Sequence, residues 1–169
     1  MNQLWAPWRI EYLLRGDERP ESCIFCAFPA EGRARFRHHL ILTASERAFV
    51  IMNRFPYAGG HVMVVPVRHA SDPAEIPFED WQATAELLRR TMTAVKEAMG
   101  AAGLNAGLNL GRVAGAGIDT HLHWHVVPRW QGDHNCMPVL SDAKVVSEAL
   151  EATYERLLPH FAGLGEGPT

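Results

Sequence analysis

The sequence predicts one domain that mixes β-strands with a single long helix, and three observations carry that prediction. Residues 121–129 read His-Leu-His-Trp-His-Val-Val-Pro-Arg, with histidines alternating against large apolar residues. That period of two marks a strand with one buried face. Residues 39–44, 47–53 and 62–67 are apolar runs of strand length. From Pro77 to Gly100 the residues Trp81, Ala85, Leu88, Met92, Val95 and Met99 recur at spacings of four and three, a helical stripe turned toward a core.

Length and composition suit one domain, residues 21–169, preceded by an arm over residues 1–20. At 47% hydrophobic and 21% charged, the chain has the make-up of an ordinary globular protein. A formal net charge of −3 leaves no overall basic footprint for nucleic acid. No apolar run approaches the roughly 20 residues that span a bilayer. Met1 to Gly16 scatters charges among Trp5, Trp8 and Tyr12, which is not the pattern of a signal peptide. Three cysteines, Cys23, Cys26 and Cys136, without a secretory signal point to a reducing, cytoplasmic setting.

In chain order, the arm carries Trp5, Pro7, Trp8, Ile10, Tyr12, Leu13 and Leu14, too apolar for a free tail and read as packed. Cys23-Ile24-Phe25-Cys26 is a C-x-x-C: half a zinc site, a redox pair or two buried thiols. No second such pair lies nearby, so any zinc must take its other ligands from far along the chain, and His69 and His121 suit that role. Residues 28–38 read as a loop broken by Pro29 and Gly32. Strands over 39–44 and 47–53 follow, joined by a turn at Ser45-Glu46, and the unbroken apolar run 48–52 suits a central strand. Asn53 to His61 turns the chain, with Pro56 and Gly59-Gly60 as turn residues, and 62–67 returns as a neighbouring strand.

Asn53 suits either a polar ligand or an Asx-turn. Pro77 starts the long helix and Gly100 stops it. Residues 103–111 alternate as a strand, and the Gly/Ala-rich stretch 112–120 leads into the histidines. Small residues there let backbone N–H groups approach and cradle phosphate oxygens. After an irregular polar loop over 130–138, a second helix runs from Ser141, as N-cap, to about Leu158, and Pro159 stops it.

On a strand, His121, His123 and His125 point to one side, about 6.5–7 Å apart. Buried imidazoles need partners or a ligand. Two chemistries remain open on these residues alone: a metal site built on H-x-H, and nucleophilic or acid–base work on an anionic substrate.

Taken together, Cys23-x-x-Cys26, Asn53, Gly60-His61-Val62, Pro66-x-x-His69, Asn109-x-Gly111, Ala114-Gly115 and His121-x-His123-x-His125 resemble the histidine triad (HIT) superfamily. The opening Leu4-Trp5-Ala6-Pro7-Trp8-Arg9 and the run from His123 to Asp133 resemble its bacterial branch akin to diadenosine tetraphosphate phosphorylases. The resemblance implies an α+β fold, with a five-stranded antiparallel sheet, a long helix and a C-terminal helix, paired as a homodimer. It implies a nucleotide substrate cleaved at the α-phosphate, His123 as nucleophile, His125 assisting at the phosphate or leaving oxygen, and His121 completing the triad. Asn53 and His61 go to the nucleotide, and Asn109 with Gly115 and Gly117 to its phosphates. Cys23, Cys26, His69 and His121 would bind a structural zinc.

One departure matters. The Gly-Gln-Ser or Gly-Gln-Thr that many members carry before the triad is replaced by Ala114-Gly115-Ala116-Gly117-Ile118-Asp119-Thr120, so the phosphate contacts differ, with Asp119 and Thr120 as candidates. Competing with an enzyme on dinucleoside polyphosphates, with phosphate or water as acceptor, are a nucleotide-sensing scaffold with weak nucleotide-conjugate hydrolysis and a hydrolase with all three triad histidines on one catalytic metal.

Overall fold

A computed structural model describes residues 22–133 and 148–165. Five strands form one antiparallel sheet: β1 (Ile41–Ala44), β2 (Ala48–Met52), β3 (Val62–Pro66), β4 (Gly103–Leu108) and β5 (Trp124–Arg129), in the order β1-β2-β3-β5-β4. Helices α1 (Ile24–Ala30) and α2 (Phe36–His39) precede the sheet, α3 (Phe78–Met99) links β3 to β4, and α4 (Leu150–Leu157) follows β5. The expected α+β fold with its long helix is the observed one. The arm over residues 1–20, Ser141 and Cys136 lie outside the described residues.

Alternation sorts the strands onto two faces. Ala48, Val50 and Met52 of β2 and Val62 and Val64 of β3 join Leu87, Leu88 and Val95 of α3 and Tyr154 and Leu157 of α4 in the larger core. Phe49, Ile51, Met63 and Val65 turn the other way and meet Phe25 of α1. Both β2 and β3 are buried at every position, as unbroken apolar runs demand when both faces are covered. Tyr154 donates its hydroxyl to the Ile41 carbonyl at 3.0 Å, pinning α4 beneath β1.

Three expectations need correction. Residues 28–38 are not simply a loop: α1 runs through Pro29, Gly32 (φ 84°) breaks the chain, and α2 ends at His39, so β1 starts at Ile41 and not at 39. Helices of seven and four residues are too short for a periodic stripe to appear. The buried line of α3 is displaced from the apolar stripe: Ala85 is exposed, while Asp80, Thr84, Leu87, Thr91 and Ala94 are buried alongside Leu88 and Val95. Thr84 is dry because its hydroxyl donates to the Asp80 carbonyl at 2.7 Å. The C-terminal helix starts at Leu150, after an extended Ala149. Pro159 does not end the helical path but sits in a 3-10 turn over Leu158–Phe161 that delivers Phe161 to the core.

The turn before β3 depends on Gly60, which has φ +80° and backs onto α3, so that a Cβ there would lie 2.8 Å from Met99 Cγ. Gly60→Ala therefore adds backbone strain to a steric clash and is expected to cost about 1–3 kcal/mol, read as a lower thermal midpoint than that of the parent chain.

Candidate active site

The three histidines enter on the end of the sheet. β5 proper begins at Trp124, three residues later than a strand from 121 implies, so His121 and His123 lie on the segment leading into it and His125 within it. The alternation survives: Leu122 packs with Ala70 and Ile76, and Trp124 with Trp81, while the imidazoles share the opposite side. His121 and His123 are 1% and 5% exposed. Phe25 of α1 is wedged against both, its ring 5.4 Å from His121 and 5.1 Å from His123. Sequence reasoning weighed the cysteines flanking Phe25 and missed the phenylalanine between them.

Hydrogen-bond partners assign the protons. His123 Nδ1 lies 2.9 Å from the His121 carbonyl. A carbonyl only accepts, so Nδ1 carries the hydrogen and Nε2 the lone pair. His61 Nδ1 accepts from the Tyr57 backbone N–H at 3.1 Å. Neutral His61 therefore carries its hydrogen on Nε2 and donates to His125 Nδ1 at 3.0 Å, which leaves His125 with its hydrogen on Nε2. Two rings 4.9 Å apart thus present opposite functions: a lone pair on His123 and a donor on His125. His61 is 1% exposed and spends its ring nitrogens on Tyr57 and His125. That places it behind the His125 ring. Tyr57 stacks on it at 4.8 Å, a partner that its place four residues upstream in a turn did not announce.

Burial keeps both rings neutral. It lowers the His123 pKa, and it pushes His125 down to about 4, with the nearby His123 adding to the effect. An unfolded histidine titrates near 6.5. Between that value and about 4 the unfolded chain binds a proton that folded His125 refuses. Stability is therefore expected to fall as pH drops through this window, and His125 contributes no slope above it. Urea unfolding at a series of pH values reads this, and a midpoint flat across the window contradicts it.

The second constellation is Cys23, Cys26, His69 and His121, whose ligand atoms all lie within 4.8 Å of one another. Cys23 Sγ is 3.4 Å and Cys26 Sγ 3.6 Å from His121 Nδ1, Cys26 Sγ is 3.3 Å from His69 Nδ1, and the two Nδ1 atoms are 3.3 Å apart. Zinc–sulfur bonds near 2.3 Å and zinc–nitrogen bonds near 2.05 Å imply tetrahedron edges of about 3.5 Å for S···N and about 3.3 Å for N···N. The four residues fit one such ion. His121 supports the fit: its Nε2–H donates to the Pro66 carbonyl at 2.8 Å, which leaves the Nδ1 lone pair aimed at the sulfurs. His121 does not share a metal with the other two triad rings: its Nε2 is held by the Pro66 carbonyl and its Nδ1 faces the two sulfurs, in a cluster that includes neither His123 nor His125.

The remaining predicted residues are distributed around these groups. Asn53, at the end of β2, accepts the Phe55 N–H through Oδ1 at 2.9 Å, the Asx-turn geometry. Asn109 is half-buried just past β4. Gly115 has φ +92° in a loop whose ends are tied by Arg112 and Asp119 at 2.6 Å. Asp119 thus engages Arg112, and Gly117 and Thr120 are exposed.

A family model described as HIT domain matches residues 37–132. The chain belongs to the HIT family. Half of the Cys/His cluster, Cys23 and Cys26, lies before the segment matched to the HIT domain. Among HIT proteins, the chain is 30% identical over 166 residues to the AP-4-A phosphorylase of Mycobacterium tuberculosis, covering 96% of this chain and 85% of that one. It is 31% identical over 108 residues to an adenosine 5'-monophosphoramidase of Schizosaccharomyces pombe, covering 64% and 74%. The crystal structure of a zinc-bound histidine triad family protein from Mycobacterium smegmatis superposes with a TM-score of 0.66 at 26% identity, over 87% of this chain and 98% of that one.

Proposed function

We propose that this HIT protein is a nucleotidyl-transferring enzyme that cleaves a dinucleoside polyphosphate, such as diadenosine tetraphosphate, at the α-phosphate. The observation that carries the reading is the pair of opposite tautomers on His123 and His125. The similarity to an AP-4-A phosphorylase supports the substrate class.

His123 Nε2 attacks the α-phosphorus. The N–P bond forms as the bond to the departing nucleotide's oxygen breaks, giving a nucleotidyl-histidine. The ring then carries positive charge with its hydrogen on Nδ1, where the His121 carbonyl accepts it. His125 Nε2–H donates to the phosphoryl or leaving oxygen, and His61 holds that tautomer in place. In the second step, phosphate or water attacks the same phosphorus and returns His123 to its starting form. Asn53 is assigned to the ribose, and Asn109 with the backbone at Gly115 and Gly117 to the phosphates. Cys23, Cys26, His69 and His121 would hold a structural zinc, which would pin α1 and the segment whose carbonyl orients His123.

The same reading pairs two copies into a homodimer along β4, an outer strand of the sheet that is half-exposed and followed by exposed Leu110 and Val113. It places the protein in the cytoplasm, where thiolates stay reduced. Nucleic acid and membrane have no part in the reading, and among the described residues no helix is long and apolar enough to cross a bilayer.

Incubation with diadenosine tetraphosphate, with and without inorganic phosphate, tests the reading by its products. ADP and ATP formed only with phosphate identify a phosphorylase, and AMP and ATP without it a hydrolase. No cleavage under either condition overturns the substrate assignment. Preferential cleavage of adenosine 5'-monophosphoramidate transfers it to the nucleotide-conjugate reading that the fission-yeast relative supports.

A further inference from the structure

Asp80 lies in the first turn of α3 and is 7% exposed. A carboxylate so placed is costly unless paired and hydrogen-bonded. Asp80 uses both oxygens: Oδ2 accepts from Arg68 Nε at 3.0 Å, and Oδ1 accepts from Nη1 of Arg47. The two guanidinium groups, Arg68 first, hold its carboxyl below the ordinary aspartate range. Arg47 immediately precedes β2, and Arg68 stands two residues past β3, directly before His69.

The turn that presents His69 lies at the surface. Val67, Arg68 and His69 are all exposed. Backbone bonds anchor its two ends: Val67 N–H donates to the Arg47 carbonyl at 2.8 Å, and Leu122 N–H donates to the Ala70 carbonyl at 2.7 Å. Between those anchors, the side chain of Arg68 reaches back to α3. Arg68, His69 and Asp80 line the same polar cleft.

We propose that Asp80, acting through Arg68, is a positioning residue for the metal cluster. It holds the 67–70 turn so that His69 Nδ1 stays beside Cys26 Sγ and His121 Nδ1. Arg68 and His69 are adjacent, so tying the Arg68 guanidinium to α3 restrains the backbone that carries the His69 side chain. Asp80 itself is no ligand: the four-residue cluster does not include it. The inference rests on the reading that the cluster takes up a metal.

The test uses the full chain and three variants, Asp80→Asn, Arg68→Gln and Arg47→Gln. Zinc affinity is measured by competition with a chromophoric chelator, and cobalt substitution reports ligand geometry through its visible absorption. Asp80→Asn and Arg68→Gln are expected to weaken zinc binding about tenfold or more and to alter the cobalt spectrum. Arg47→Gln keeps the Arg68–Asp80 pair and stays within about threefold of the parent, since it lacks a direct link to a ligand. Should Asp80→Asn fail to fold, Arg68→Gln decides. Parent affinity and spectrum in Arg68→Gln overturn the proposal. So does an equal loss in Arg47→Gln, which would mean general packing and not positioning. A parent chain that takes up neither zinc nor cobalt overturns the metal reading itself, and this proposal with it.

Discussion

Replacing His123 with alanine is expected to lower turnover of diadenosine tetraphosphate by more than about 10³-fold, because removing a covalent nucleophile leaves only the binding and positioning parts of catalysis. The same variant should keep the far-ultraviolet circular dichroism of the parent. His123 is buried, but it makes its hydrogen bond to a local carbonyl two residues back and ties no distant element by it. The decisive readout is chemical. Parent enzyme incubated with α-labelled substrate and quenched in alkaline denaturant should retain label as a phosphoramidate, stable to base and released by acid, and His123→Ala should retain none. Label trapped on the variant, or turnover close to the parent's, sinks the nucleotidyl-histidine mechanism.

The second large effect is expected from metal removal. The cluster joins three stretches of chain that are far apart in sequence: Cys23 and Cys26 at the start of α1, His69 past β3, and His121 before β5. A ligand that binds only the folded state at a thousandfold its Kd adds about 4 kcal/mol. A chain of this length moves its thermal midpoint by about 2–4 °C per kcal/mol. Chelation of the metal-loaded protein is therefore expected to lower Tm by about 8–16 °C. The Cys23→Ser, Cys26→Ser double variant should melt near the chelated parent and no longer respond to chelator. A parent whose melt ignores both chelator and added zinc removes the structural metal from the account.

Much of this site was legible in the chain. Three histidines at spacing two, with Leu122 and Trp124 between them, announced one imidazole face and one core face, and the structure keeps that division. The C-x-x-C lacked local partners, which forced the search for distant ligands, and His69 and His121 do meet the two sulfurs. The long helix was legible in extent but not in orientation. Its stripe was drawn through Ala85, whereas the buried line runs through Thr84 and Thr91. A threonine reads as polar in a sequence, although its methyl group packs as well as alanine's and its hydroxyl can bond back within the helix.

The sequence by itself determined the family, the two-faced central strands, the span of the long helix and which residue types carry the chemistry. Each of those follows from side-chain identity at a regular spacing. Only the tertiary structure decided how each histidine is oriented. His121 is aimed at the sulfurs by the Pro66 carbonyl, His123 is given its outward lone pair by the His121 carbonyl, and His61 is set behind His125 by the Tyr57 N–H. All three deciding partners are backbone atoms. Every residue carries a carbonyl, and every one but proline an N–H, so the letters of the sequence do not distinguish them. The position of a ring proton depends on which such group lies about 3 Å away once the chain has folded.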